Sequence, residues 1–325
     1  MKKITVLLLA IMTVFILVGC GKTAEKSEVL RVGLSLGGGI NDGSWNQSAY
    51  EGLMLIEKKL DADVSYNENL VPSDYEKSMR AFAKDGNDVV IGHGFEFGDA
   101  ALLLAKEFPD TMFIVTSTDI TNKTNVGSLS NNYLQAGFMQ GVFAALMTKT
   151  NIVAGIGAME IPPIKNDLLG FVAGAKYINP NIKASFSFTN SWDDANKAKE
   201  VALTYISQGA DIIIEDANAG GKGVFIAAEE KGVYAVASIG PDFSSYKNLI
   251  ASATTDMPNA LLQTVGQIKE GTYKADFQLL GIKEGIIDFK YNPDLESKIP
   301  SDVMDKMNEI KEKLVSGEID INKYL

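Results

Sequence analysis

The chain has 325 residues, 41 acidic against 30 basic, and its formal net charge of −11 argues against a nucleic-acid partner, which needs a positive field. One cysteine and one histidine leave no internal disulfide and no histidine-based metal cluster. Roughly 300 residues beyond the leader exceed one comfortable hydrophobic core and predict two lobes.

In chain order, a basic start at Met1-Lys2-Lys3 precedes an almost wholly apolar run from Ile4 to Val18. A bilayer-spanning helix needs about 20 residues, so the run reads as a secretory signal. Its end, Leu17-Val18-Gly19-Cys20, resembles the bacterial lipobox, in which cleavage falls before the cysteine and the cysteine carries lipid. Residues 1–19 are expected to be a lipoprotein signal peptide and 20–28, polar and aperiodic, a tether. The mature protein is then expected on the extracytoplasmic face of the cell membrane, anchored through Cys20 and not spanning the bilayer.

Val29–Leu36, Asp88–Gly92 and Met112–Thr116 read as buried parallel strands, each followed by a helix-like stretch. The rhythm repeats in strands 152–157, 182–188, 211–214 and 233–237, with helices near 167–178, 194–208 and 223–231. In the helix from Asp194, Ala195, Ala198, Val201, Ala202, Tyr205 and Ile206 form one apolar stripe, and Gly209 can end it. Two α/β halves of about five strands each predict two lobes with a cleft. Ligands of open α/β sheets sit beyond the carboxyl ends of the strands, so those ends are the places to inspect.

The first strand leads into Gly37-Gly38-Gly39-Ile40-Asn41-Asp42-Gly43-Ser44-Trp45-Asn46. Neither a Walker loop nor a dinucleotide fingerprint is present, so the glycines read as turn-makers and Asn41, Asp42 or Ser44 as a helix cap. Capping leaves Trp45 unexplained, and in a first helical turn it would project towards the cleft. After the next strand, His93 reads either as a polar group lining the site or standing just behind its lining, or as an exposed loop histidine, with Phe95 beside it. Thr116-Ser117-Thr118-Asp119 suits hydrogen bonding to a small polar ligand, though such residues also make ordinary turns. The second half ends its strands at Met159-Glu160, Trp192-Asp193, Asp216-Ala217-Asn218 and Gly240-Pro241-Asp242. One tryptophan per lobe, each at a strand end, points to an aromatic clamp on a planar ring.

These segments resemble the basic membrane protein family of ABC-transporter substrate-binding lipoproteins, its purine-nucleoside group. The resemblance rests on "GGINDGSWNQSAYEGL", "VVIGHGFEFGDAALLLAKEFPD", "QAGFMQGVFAALMTKT", "GAMEIPPIKNDLLGFVAGAKYINP", "SWDDANKAKEVALTYISQGADII" and "AAEEKGVYAVA", and runs from Val29 to at least Asn292. It implies a type I periplasmic-binding-protein fold, two doubly wound parallel-sheet lobes joined by a three-stranded hinge, with crossings near Lys149, Thr254 and Gly281. The lobes would be 29–149 plus 255–281 and 150–254 plus 282–325. It also implies a purine nucleoside or base stacked between Trp45 and Trp192, held by Asn46, Asp119 and the loops at Asp216 and Asp242. An ABC permease and ATPase would be the partners, with no cofactor, no metal and no catalytic residue. Two departures bear on the sugar: relatives usually end the first strand in aspartate where this chain has Leu36, and at most one carboxylate survives around Asp242. Each lost charged bond should weaken ribose recognition by roughly 1.5–3 kcal/mol. Two alternatives stay open: a sensor of the same fold, and a nucleoside hydrolase, for which Asp42, Glu160 and Asp216 lack a convincing partner.

Overall fold

The computed structural model describes residues 29–43, 45–238 and 243–325. The leader, Cys20, the tether, Ser44 and Asp242 lie outside them. No helix among the described residues is long and apolar enough to cross a membrane.

The first sheet holds β1 (Arg31–Leu36), β2 (Asp63–Asn67), β3 (Val89–His93), β4 (Met112–Thr116), β5 (Val126–Asn131) and β11 (Phe277–Leu280), ordered β11-β5-β4-β3-β1-β2 and wholly parallel. Period-two alternation divides it between two cores. Val32, Leu34, Leu36, Val89 and Ile91 face α1 (Trp45–Leu60) and α8 (Met257–Lys269). Val90, Phe113 and Val115 face α2 (Tyr75–Lys84) and α3 (Gly98–Leu104).

The second sheet holds β6 (Ile152–Gly157), β7 (Lys183–Phe188), β8 (Ile212–Asp216), β9 (Tyr234–Ser238), β10 (Leu249–Thr255) and β12 (Ile287–Tyr291), ordered β12-β10-β9-β8-β6-β7. It is parallel except that β12 runs antiparallel to β10. Its helices are α4 (Tyr133–Met147), α5 (Pro162–Ile178), α6 (Ala195–Ser207), α7 (Lys222–Lys231) and α9 (Ser301–Ser316). Each sheet therefore has six strands where the sequence suggested about five; those it did not place include half-exposed edges such as β2 and the buried interior strands β5 and β10.

One hinge crossing differs from expectation. The chain leaves the first sheet after Asn131, and α4 packs in the second lobe, its Phe138, Val142 and Phe143 sharing a core with Val153, Phe171 and Ile310. The first crossing is thus at Asn132 and not near Lys149, and residues 133–149 belong with the second lobe. The cause is the α4–α5 contact, where glycines bring the backbones together. A Cβ at Gly137 or Gly141 would clash with the carbonyls of Asp167 or Phe171, and one at Gly174 with that of Phe138. The chain passes to α8 after Thr255 and returns to the second sheet between Leu280 and Ile287.

Candidate ligand cleft

At the start of α1 the Asp42 carboxylate accepts hydrogen bonds from the backbone N–H of Asn46 (3.0 Å) and of Gln47 (3.1 Å), answering donors that a helix start leaves open. Asn46 is gripped twice: its Nδ2 donates to Asp42 Oδ2 (2.8 Å), and its Oδ1 accepts from Gly38 N–H (3.2 Å). Gly43, at φ +74°, takes the turn a side chain would strain. Asp42 is therefore a cap that aims Trp45 and Asn46 and does not itself line the cleft.

Trp45 opens α1 with its indole stacked on the His93 ring, centroids 4.0 Å apart and planes at 24°. His93 ends β3 and is 1% exposed. The Thr116 hydroxyl oxygen accepts from Gly94 N–H (2.9 Å), leaving its own proton for His93 Nδ1 (2.9 Å). That arrangement puts the imidazole proton on Nε2, which donates to the Trp45 carbonyl (3.2 Å). Burial pushes the His93 pKa down to about 3, so the ring stays neutral. His93 is accordingly a back wall for Trp45 and is not among the residues that line the cavity.

From the second lobe, Trp192 sits on the loop after β7, its backbone carbonyl held by Gly220 N–H (2.9 Å). Asp216 is the last residue of β8, and Asn218 follows in left-handed backbone at φ +50°. Ile161, Pro163 and Ile164 come from the start of α5. These residues and Trp45, Asn46, Tyr75, Phe95, Glu96, Ser117 and Tyr133 line one cavity of about 440 Å³, a volume suited to a small molecule. Both lobes contribute, and most lining residues follow the carboxyl ends of parallel strands.

Of the residues singled out in the sequence, Trp45, Asn46, Phe95, Trp192, Asp216 and Asn218 are brought together here. Asp119 is exposed beyond the cavity, and Ser117, two residues nearer the strand, lines it instead. Met159 packs against Ala158, Ile164, Leu168 and Ala217 in a small core. Tyr75, Glu96 and Tyr133 were not anticipated: Tyr75 opens α2, Tyr133 opens α4 just past the hinge, and Glu96 lay inside the quoted Gly-His-Gly-Phe-Glu-Phe-Gly loop.

Three carboxyls meet on the second-lobe side. Asp167 is 1% exposed, Glu215 5% and Asp216 8%. Glu215 Oε1 accepts from Ala217 N–H (2.6 Å), and burial raises its pKa to about 8. Burial likewise raises Asp216 to about 7, and burial with the adjacent Asp216 raises Asp167, whose Oδ2 accepts from the Ser238 hydroxyl (3.2 Å). No cluster of metal-ligating side chains occurs among the described residues.

The family model for Bmp, described as ABC transporter substrate-binding protein PnrA-like, matches residues 29–324. The ABC transporter nucleoside-binding protein BmpA of Lactococcus lactis is 32% identical over 242 residues, 70% of this chain and 69% of that protein. The transcriptional activator protein med of Bacillus subtilis is 27% identical, covering 88% and 89%. In fold, the chain is similar to an ABC transporter solute-binding protein from Aeropyrum pernix, with TM-score 0.78, 19% identity and coverage of 90% and 92%. It is also similar to a transcriptional activator of the comK gene from Bacillus halodurans, with TM-score 0.77, 23% identity and coverage of 88% and 97%. With both sheets and the family match in place, the chain belongs to the Bmp family of PnrA-like ABC transporter substrate-binding proteins.

Proposed function

We propose that this protein is a receptor held on the extracytoplasmic face by lipid on Cys20, which captures a purine nucleoside or purine base and passes it to an ABC permease and its ATPase. The observation that carries the reading is that Trp45 and Trp192, one from each lobe, line the same cavity. A flat ring between two indoles gains stacking from both sides, and a ligand bridging both lobes favours their closed arrangement by its differential contacts. The nucleoside-binding name of the Lactococcus relative supports the ligand class. Leu36 bears on the sugar: its side chain is fully buried in the first-lobe core with Leu53 and Ile114, so that side chain supplies no acceptor for a ribose hydroxyl.

Calorimetry with adenosine, guanosine, inosine, adenine, hypoxanthine and riboflavin tests the reading. Heat from at least one purine is expected, and none from any would remove the purine assignment. Release of free ribose during incubation with nucleosides would favour a hydrolase instead.

A sensing role is the second reading, favoured by relatives named as transcriptional activators. Ligand-dependent stimulation of a co-reconstituted permease–ATPase supports transport; an operon without permease genes supports sensing.

A further inference from the structure

We infer that the cleft selects a donor-rich ligand, a flat heteroaromatic bearing an exocyclic amino group, through the Asp216 carboxyl of one lobe and Glu96 of the other. The inference rests on the purine reading above and names which members of that class the site prefers.

Asp216 lines the cavity at 8% exposure, and no hydrogen-bond donor from a described residue is paired with its carboxyl. Its oxygens open onto the cavity, so a ligand that displaces solvent there is held best when it supplies the missing donor. Neither neighbouring carboxyl is hydrogen-bonded to Asp216: Asp167 from α5 accepts from Ser238, and Glu215 from β8 accepts from Ala217. Tyr133 from α4 has its hydroxyl 3.3 Å from that of Ser117. Among the described residues these three are the titratable groups around Asp216, and none is a cation.

Across the cavity, Glu96 opens onto the cleft yet is desolvated enough to raise its pKa. The Asn46 amide is taken up by Asp42 and Gly38. No Lys or Arg among the described residues lines the cavity, and the neutral His93 lies behind Trp45. The ionisable groups on the described walls that accept when charged are thus the carboxyls of Asp216 and Glu96, while the Tyr75 hydroxyl, the Asn218 amide and the two indoles are neutral donors. A ring with amino groups complements such walls, whereas an oxo group facing a carboxylate leaves two acceptors opposed.

Protonation gives the selectivity a signature. Ionised Asp216 only accepts; once protonated it can donate to an oxo group as well. The amino preference is largest above the Asp216 pKa and shrinks as the pH falls below it.

The test is calorimetry of the full mature protein with two shape-matched pairs, adenine against hypoxanthine and adenosine against inosine, at about pH 8 and about pH 5.5. At the higher pH the amino member is expected to bind at least about tenfold more tightly, with the ratio falling at the lower pH. Asp216→Asn, whose amide can donate, should collapse the ratio and its pH dependence, and Glu96→Gln should lower the ratio. Purine binding with equal affinities in each pair, or an unchanged ratio in both variants, overturns the inference and leaves the purine reading standing. Absence of binding by any purine overturns both. The wild-type comparison decides the matter even if Asp216→Asn fails to fold.

Discussion

The two tryptophans occupy matching places after strands of the two lobes and differ in how they are held. Trp45 is half-buried, stacked on a histidine whose two ring nitrogens are both hydrogen-bonded, and carried by a helix start fixed by Asp42. Trp192 is 43% exposed, and no described aromatic ring stacks on it. The first-lobe wall is thus assembled before ligand arrives, while the second-lobe wall gains its packing only when something fills the cleft. A preassembled wall loses little entropy on binding, so most stacking energy there appears as affinity.

The largest effect that sharpens this contrast is expected for Trp45→Ala. It removes one stacking face and uncovers the buried His93 ring, and should weaken purine binding by about 2–3 kcal/mol. A loss no greater than that of Trp192→Ala would break the asymmetry.

The lobes should also respond oppositely to acid. His93 is held neutral with a pKa near 3 against an ordinary 6.5, so below pH 6.5 the unfolded chain takes up a proton that the folded chain refuses. Stability is then lost as pH falls through that window, by up to about 1.4 kcal/mol per pH unit. Asp216 is the reverse: it keeps its proton to about pH 7 when folded and releases it near 3.8 when unfolded, so stability is lost as pH rises between those values. Urea unfolding across about pH 5 to pH 8 reads both. His93→Gln should remove the acid-side loss, and Asp216→Asn should stabilise more at the upper end than at the lower. Parallel pH profiles for wild type and both variants would contradict the two burial arguments.

The smallest effect is expected for Trp192→Ala, a loss of about 1 kcal/mol of binding with unfolding stability unchanged. A loss of stability there would mean that the indole already packs in the free protein.

What the sequence made legible follows from where the physical signal is strongest. Runs such as Val89-Val90-Ile91 and Ile212-Ile213-Ile214 are buried on both faces, and their composition alone marks them as central strands. The edge strand Asp63–Asn67 carries no such run, so composition does not mark it. The hinge at Asn132 was missed because α4 is apolar nearly all round, so its pattern does not say which lobe buries it; glycine contacts with α5 decide that. In the site, Trp45 and Trp192 stood out by rarity and position. Tyr75 and Tyr133 reach the cavity from the starts of α2 and α4, which no local spacing links to the strand ends. Asp119 lies two residues beyond the one that lines the cavity, and His93 takes the place behind the lining that the sequence left open beside a place within it.

The most direct test is a crystal structure of the protein with the tightest-binding purine from the calorimetric panel. The account predicts the ring sandwiched between the indoles of Trp45 and Trp192, with a donor edge turned to Asp216. A purine bound elsewhere, or in the cleft with neither indole against its face, would contradict it.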